Sequence, residues 1–230
     1  MGRNEVWKGI WQKKYDPILD ATPHVRDGYD LLTPEQLGRF FGFFLDKLGI
    51  DASDDVLDVG CGAGALLQHL PECRRVCGVD YSENAIQLIR QKFKGDYRVA
   101  EASKLPFRDG EFSVVICFGV FLYFNSLEYA RSAIREILRV TRPDGRILIG
   151  EVNDLAKKEV ADRIRQDQAS KRKADYVSRD TVDHLYYPKD FFEKAASEQG
   201  WKVTLFDEDV PELDFYVTGR YRYSLVMKKR

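Results

Sequence analysis

From residue 55 onward the apolar residues fall into short, nearly unbroken runs separated by segments with helical spacing. Val56-Leu57-Asp58-Val59 reads as a strand, followed by a helix expected over residues 63–70 and ended by Pro71. Arg75–Asp80 reads as a second strand. Ser82 is placed to cap a helix running to Phe93, whose apolar stripe is Ala85, Ile86, Leu88 and Ile89. Residues 97–100 make a weaker third strand, Phe112–Phe118 a fourth, and Leu127–Val140 the helix after it. The turn Pro143-Asp144-Gly145 then introduces a fifth strand over residues 146–150. Strands apolar on both faces, alternating with helices, imply a parallel sheet covered on both sides.

The flanks are less regular. Trp7, Trp11 and Tyr15 crowd the start of the sequence, either stapling a helix to the body or forming an aromatic lid. After Thr33-Pro34 comes an apolar helix through Leu37, Phe40, Phe41, Phe44, Leu45 and Leu48. Thr33 suits the N-cap, Pro34 the first helical position, Gln36 the third, and Gly49 the close. Residues 153–180 break the rhythm and read as an exposed helix and loop inserted after strand five. Within it, residues 157–175 hold seven Lys/Arg against four Asp/Glu. That is a solvated helix face, or a surface that contacts a phosphate-bearing substrate. A helix over residues 188–199, closed by Gly200, leads to two last strands, 201–206 and 216–227. These form an antiparallel hairpin at the sheet edge.

Composition narrows the classes. A length of 230 residues suits one domain with a full core, and 44% hydrophobic residues argue against extended disorder. Net charge is −1, so nothing steers the whole chain to nucleic acid or an anionic membrane, and a small-molecule partner fits better. The first twenty residues lack the apolar region of a signal peptide, and the longest apolar run, 114–124, is too short to span a bilayer. Cys61, Cys73, Cys77 and Cys117 form no CxxC pair and read as reduced structural thiols of a cytoplasmic protein, with no metal expected.

The chemistry concentrates at Gly60, Gly62 and Gly64, which follow a strand and would let the backbone approach a ligand with free N–H groups. Alone, this spacing also fits a dinucleotide site. The neighbouring acids change that reading. Asp58, two residues before the first glycine, would crowd a diphosphate but suits a ligand with ammonium and sulfonium charges. Asp80, at the end of strand two, can accept from both hydroxyls of a ribose. Residues 100–107, Ala-Glu-Ala-Ser-Lys-Leu-Pro-Phe, offer a carboxylate and a backbone N–H to an adenine edge.

With these residues in place, the chain resembles the class I S-adenosylmethionine-dependent methyltransferases over about residues 50–152. The family pattern hhDhGCGxG matches residues 56–64, its ribose acid matches Asp80, and its Gly-Asp-Ala-x-x-Leu-Pro-Phe segment matches with Ala100 for Gly and the longer Glu101 for Asp. Residues 138–145 resemble its Leu-Arg-Val-Leu-Lys-Pro-Gly-Gly turn. Ser113 stands where the family often has Asp.

The resemblance implies a Rossmann-like, doubly wound, seven-stranded and mostly parallel sheet with helices on both faces and a C-terminal antiparallel hairpin. It also implies a single methyltransferase domain: residues 1–50 as helical lid or substrate segment, 51–152 as cofactor core, 153–187 as inserted substrate-side segment, and 188–230 as last helix and hairpin. The expected cofactor contacts are Asp58, Gly60, Cys61, Gly62, Gly64, Asp80, Tyr81, Glu101, Ala102, Phe118 and Tyr15. Tyr123, Tyr187 and Trp11 are expected at the acceptor, with His184 or His24 as general base. His69 reads as structural.

The implied reaction is methyl transfer from S-adenosylmethionine, leaving S-adenosylhomocysteine, to an oxygen or nitrogen of a small acceptor such as a sugar or natural-product intermediate. Orientation contributes most of the rate, so no obvious catalytic dyad is needed. The enzyme would act as a monomer or homodimer. A nicotinamide-dependent oxidoreductase is the alternative, disfavoured by Asp58 and by the absence of a Tyr-x-x-x-Lys pair. A non-catalytic cofactor-binding protein is the other.

Overall fold

The computed structural model describes residues 3–16, 21–171 and 183–229. Its centre is a seven-stranded sheet of β1 (Asp55–Val59), β2 (Arg75–Asp80), β3 (Asp96–Val99), β4 (Phe112–Phe118), β5 (Thr141–Asn153), β6 (Trp201–Asp207) and β7 (Arg222–Lys229). The spatial order is β3-β2-β1-β4-β5-β7-β6, with β7 antiparallel to both of its neighbours. The order reverses between β1 and β4, which pair in parallel. That reversal opens a crevice at the carboxyl ends of the strands, where open α/β sheets bind ligands.

Seven helices among the described residues accompany the sheet: α1 (Arg3–Lys14), α2 (Pro23–Arg26), α3 (Pro34–Leu45), α4 (Glu83–Lys92), α5 (Leu127–Val140), α6 (Lys158–Lys171) and α7 (Asp190–Ser197). None of the described helices is long and apolar enough to cross a membrane. Leu57, Val59, Val115 and Cys117 pack with Ile134 and Ile137 of α5 and Phe192 of α7. Val56, Val114 and Ile116 pack on the other side with Phe40 and Phe44 of α3 and Ile86 and Ile89 of α4. Alternate strand residues thus feed opposite cores, so the central strands β1 and β4 are largely apolar on both faces, whereas the edge strand β3 keeps Asp96 and Arg98.

Thr33 forms the expected capping box: its hydroxyl accepts from Gln36 N–H and Gln36 accepts from Thr33 N–H. Thr33→Ala should lower stability by about 1 kcal/mol, read in a melting experiment as a fall of roughly 2–4 °C for a chain of this size.

Three expected boundaries move. The helix over 63–70 is replaced by turns and a single 3-10 turn, Leu67–His69. The glycines on one side and Pro71 on the other leave too few residues to nucleate a longer helix. The fifth strand runs from Thr141 to Asn153, because residues 142–145 are taken up in a register shift beside β4 rather than ending the strand. The last strand starts at Arg222, and Val217–Tyr221 are wound into a 3-10 turn. The charged insertion does form a helix, α6. Residues 172–182, which hold the rest of that stretch and the Thr181-Val182 lead into His184, lie outside the described residues.

Candidate active site

The crevice is a cleft of about 1010 Å³, counted out to its mouth. Its floor is the glycine turn. Gly62 has φ +52°, and a Cβ there would lie 2.4 Å from Asp27 Oδ1 and 2.7 Å from the Tyr15 hydroxyl, so the close approach requires glycine. Asp80 at the end of β2 pins this turn: its Oδ2 accepts from Gly62 N–H (3.1 Å) and its Oδ1 from Ser82 N–H (2.9 Å). Asp58, on β1, faces the same space and is 3% exposed.

Of the residues expected at the cofactor, Asp58, Gly60, Cys61, Gly62, Asp80, Tyr81, Glu101, Ala102, Phe118 and Tyr15 all line the cleft. Gly64 does not. A Cβ there would meet Phe93 at 2.6 Å, so its constraint is packing against the end of α4. Glu101 is engaged from two sides, by Lys8 Nζ of α1 and the Tyr129 hydroxyl of α5, each at 2.6 Å. Burial alone would raise its carboxyl, but these two bonds hold it below the usual range. Cys61 is buried and unpaired, and burial pushes its thiol well up, so it is a packing group and not a nucleophile.

Helix α1 roofs the cleft with Trp7, Trp11 and Tyr15. Trp11 stacks on Tyr15 (5.8 Å between centroids) and meets Tyr123 edge-on (5.1 Å), so the aromatic start of the chain is part of the site. Asp27, just after α2, has no signal in local sequence spacing and was missed there. It reaches across 36 residues to accept from Ala63 N–H (2.8 Å), and it also accepts from Ala65 N–H (2.8 Å) and the Tyr15 hydroxyl (3.0 Å).

The cleft opens into a second cavity of about 1150 Å³, sharing Asp27, Tyr29, Gly119 and Tyr123 with it. Gly119 lies at this seam with φ +69°, and a Cβ there would sit 2.8 Å from Glu151 Oε2 and 3.1 Å from the Tyr29 hydroxyl. Glu151, at the carboxyl end of β5, is 3% exposed and holds φ +58°, a conformation that costs a non-glycine residue of order 1 kcal/mol or more. Its carboxylate accepts from the hydroxyls of Tyr29 (2.7 Å) and Tyr216 and from Arg222. Glu151 was also missed, although an acid closing a strand at the ligand edge is the signal that singled out Asp80.

His184 lines the second cavity, 9% exposed, stacked on Trp7 (4.9 Å, 10°) and edge-on to Tyr123 (5.4 Å). Both of its ring nitrogens are buried without a hydrogen-bond partner among the described residues. Of the other residues expected on this side, Tyr123 lines both cavities and three are elsewhere, Trp11 lining the first cleft alone. Tyr187 lines neither cavity; it is fully buried, and its hydroxyl donates to Phe121 O (2.8 Å), because the apolar neighbours Phe191 and Phe192 draw it into the core. His24 also lines neither cavity and bonds only to the hydroxyl of its neighbour Thr22.

Three carboxylates therefore share one buried space. Burial, reinforced by Asp27 and Asp80, pushes Asp58 up to about 8. Burial raises Asp80 to about 6 against the lowering pull of the Ser82 and Gly62 N–H groups. Asp27 is likewise raised to about 6 by burial, against Ala63 and Ala65. The folded chain then holds more protons than the unfolded chain between the ordinary carboxylate value near ~4 and these raised values. Stability of the ligand-free chain should accordingly fall as pH rises from about 5 to about 8. Melting curves across that window check it, and Asp58→Asn should flatten the slope above pH 6.

Residues 57–149 match the family model described as a methyltransferase domain. The match covers 93 of the 230 residues and takes in the glycine turn, Asp80 and Glu101. Among curated relatives, the chain is 34% identical over 139 residues to the ubiquinone/menaquinone biosynthesis C-methyltransferase of Desulfotalea psychrophila, covering 56% of this chain and 55% of that protein. It thus spans about half the length of the curated relatives it matches. Two solved structures share the fold at low identity. A phosphoethanolamine N-methyltransferase of Haemonchus contortus superposes with a TM-score of 0.70 at 16% identity, over 98% of this chain and 48% of that one. A geranyl diphosphate C-methyltransferase of Streptomyces coelicolor does so with 0.66 at 15% identity, over 100% and 99%. The doubly wound reading of the sequence is thereby met, and the dinucleotide alternative is not favoured.

Proposed function

We propose that this methyltransferase uses S-adenosylmethionine to methylate a small organic acceptor held in the second cavity. The observation that carries the reading is the buried triad Asp27, Asp58 and Asp80 around the glycine turn. Carboxylates raised this far by burial and by one another favour a ligand that brings positive charge and hydroxyl donors. A diphosphate would meet the like charges of Asp27 and Asp80 there and would oppose ionisation of Asp58. When bound, S-adenosylmethionine supplies a methyl group activated on a sulfonium.

The chain's own residues supply the rest. Asp80 would hold the ribose hydroxyls, Asp58 and Asp27 the cationic end, and Glu101 with Ala102 the adenine edge. Lys8 now occupies Glu101, so binding exchanges one hydrogen-bond partner of that carboxylate for another. Trp7, Trp11 and Tyr123 exclude water over the cleft, which strengthens the electrostatics inside it. The seam at Gly119 joins the cofactor cleft to the acceptor cavity, and Glu151 fixes the Tyr29 hydroxyl there.

His184 is the group free to take a proton from the acceptor, since neither ring nitrogen has another partner among the described residues. Glu151, tied down by three donors, positions rather than abstracts. An acceptor hydroxyl, a primary or secondary amine, or an activated carbon all lose a proton on methylation, and His184 serves each.

Calorimetric titration at pH 7 tests the reading. S-adenosylmethionine should bind with release of protons, because a cationic ligand draws the raised carboxyls back toward ionisation. The measured heat should therefore differ between buffers of different ionisation enthalpy. Binding of NAD instead, or no formation of S-adenosylhomocysteine with any of a panel of phenolic, amine and sugar acceptors, would overturn it.

A further inference from the structure

We infer that the second cavity carries an oxyanion subsite, built by Arg165 and Gln168 of α6 and Thr218 of the turn before β7, for a phosphate or carboxylate group on the acceptor. This rests on the reading of that cavity as the acceptor site. Helix α6 packs against the Val217–Tyr221 turn, and all three side chains line the cavity. Gln168 stands three residues after Arg165, on the same helix face.

Arg165 Nη2 and Thr218 Oγ1 are both buried without a hydrogen-bond partner among the described residues. A guanidinium cannot shed its proton, so an unmet buried N–H on arginine calls for an acceptor, supplied by water or by a ligand's oxygen. His184, nine-tenths buried, also lines this cavity with both ring nitrogens unmet, and its neutral ring brings one further N–H donor. Unmet donors therefore collect in this lining.

The chain's nearby carboxylates are already committed. Glu151 takes Tyr29, Tyr216 and Arg222, and Asp27 takes two backbone N–H groups and Tyr15. Asp162, one turn before Arg165, is bonded to Lys158 Nζ at 2.9 Å. Arg165 is also held in place: its guanidinium lies over the Tyr186 ring, 5.7 Å from the centroid. A held planar fork, in a cavity also lined by a hydroxyl and an amide, matches the oxygens of a carboxylate or a phosphate. The positive excess of the inserted segment then serves recognition at one residue, while Lys158 on the same helix is a surface ion pair.

The test uses the full chain saturated with S-adenosylhomocysteine and titrated calorimetrically with inorganic phosphate, with acetate, and with chloride at matched ionic strength. Phosphate or acetate should saturate where chloride does not, and the tighter of the two names the group on the acceptor. Arg165→Gln and Thr218→Val should each weaken that anion by about tenfold or more, the loss of one charge-assisted or buried hydrogen bond. Arg165→Lys, which keeps charge but not the fork, should fall between. S-adenosylhomocysteine affinity should stay at the parent value in all three variants, showing that the fold is intact. Anions no better than chloride, or equal anion affinity in Arg165→Gln, overturn the subsite. If S-adenosylhomocysteine still binds in that case, only the subsite falls; if it also fails to bind the parent chain, the cofactor reading falls with it.

Discussion

Asp80→Ala is expected to weaken binding of S-adenosylmethionine by about a hundredfold or more, the loss of two charge-assisted hydrogen bonds of roughly 1.5–3 kcal/mol each. The carboxylate stands at the end of β2, at the switch point of the sheet, where its free lone pairs face the cleft. It has a second task, since it accepts from Gly62 and Ser82 and so shapes the glycine turn. Both losses act on the same ligand, which is why the effect should exceed that of any other cleft residue. S-adenosylhomocysteine, which lacks the sulfonium charge, should lose affinity by a similar factor, because the hydroxyls and not the charge are what Asp80 reads. An unchanged affinity for both ligands would remove Asp80 from the cofactor site. A loss confined to S-adenosylmethionine would reassign it to the cationic end.

His184→Gln should lower kcat by about a hundredfold to ten-thousandfold, the usual range for a positioned general base, with cofactor affinity little changed. Glutamine keeps much of the volume between Trp7 and Tyr123, so the aromatic roof stays closed. The measurement is steady-state turnover with whichever panel acceptor the parent enzyme methylates, followed against pH. In the parent, kcat should fall at acid pH, because a protonated ring cannot accept. That limb should vanish in the variant. A variant with the parent's rate and pH profile would make His184 a packing residue between two aromatic rings.

Much of the fold could be read from local pattern, because the same residues set both pattern and structure. Apolar runs such as Phe112–Phe118 had to be buried strands, and Thr33-Pro34 had to start a helix. The turn after β1 was misread as helix because Ala65, Leu66 and Leu67 have helical propensity, and the glycines before them overrode it. Asp58, Asp80 and Glu101 sit at fixed offsets from strand ends, so spacing revealed them. Asp27, Glu151 and Arg165 reach their cavities through tertiary packing over long sequence separations, and no local period encodes that. Tyr187 shows the converse: its position in the chain suggested the acceptor, and the pull of Phe191 and Phe192 took it into the core.

The insertion of β7 between β5 and β6 also governs the order of assembly. Strand β6 leaves the ribosome before β7, and its pairing in this sheet is with β7 alone. Until Arg222–Lys229 emerge, β5 carries an unsatisfied edge and β6 has nothing to dock on. A nascent chain at that stage exposes two apolar strand edges, a state prone to pairing with other copies. The final strand acts as a keystone, so the acceptor wall around Glu151 and Arg222 can lock only once synthesis has reached it.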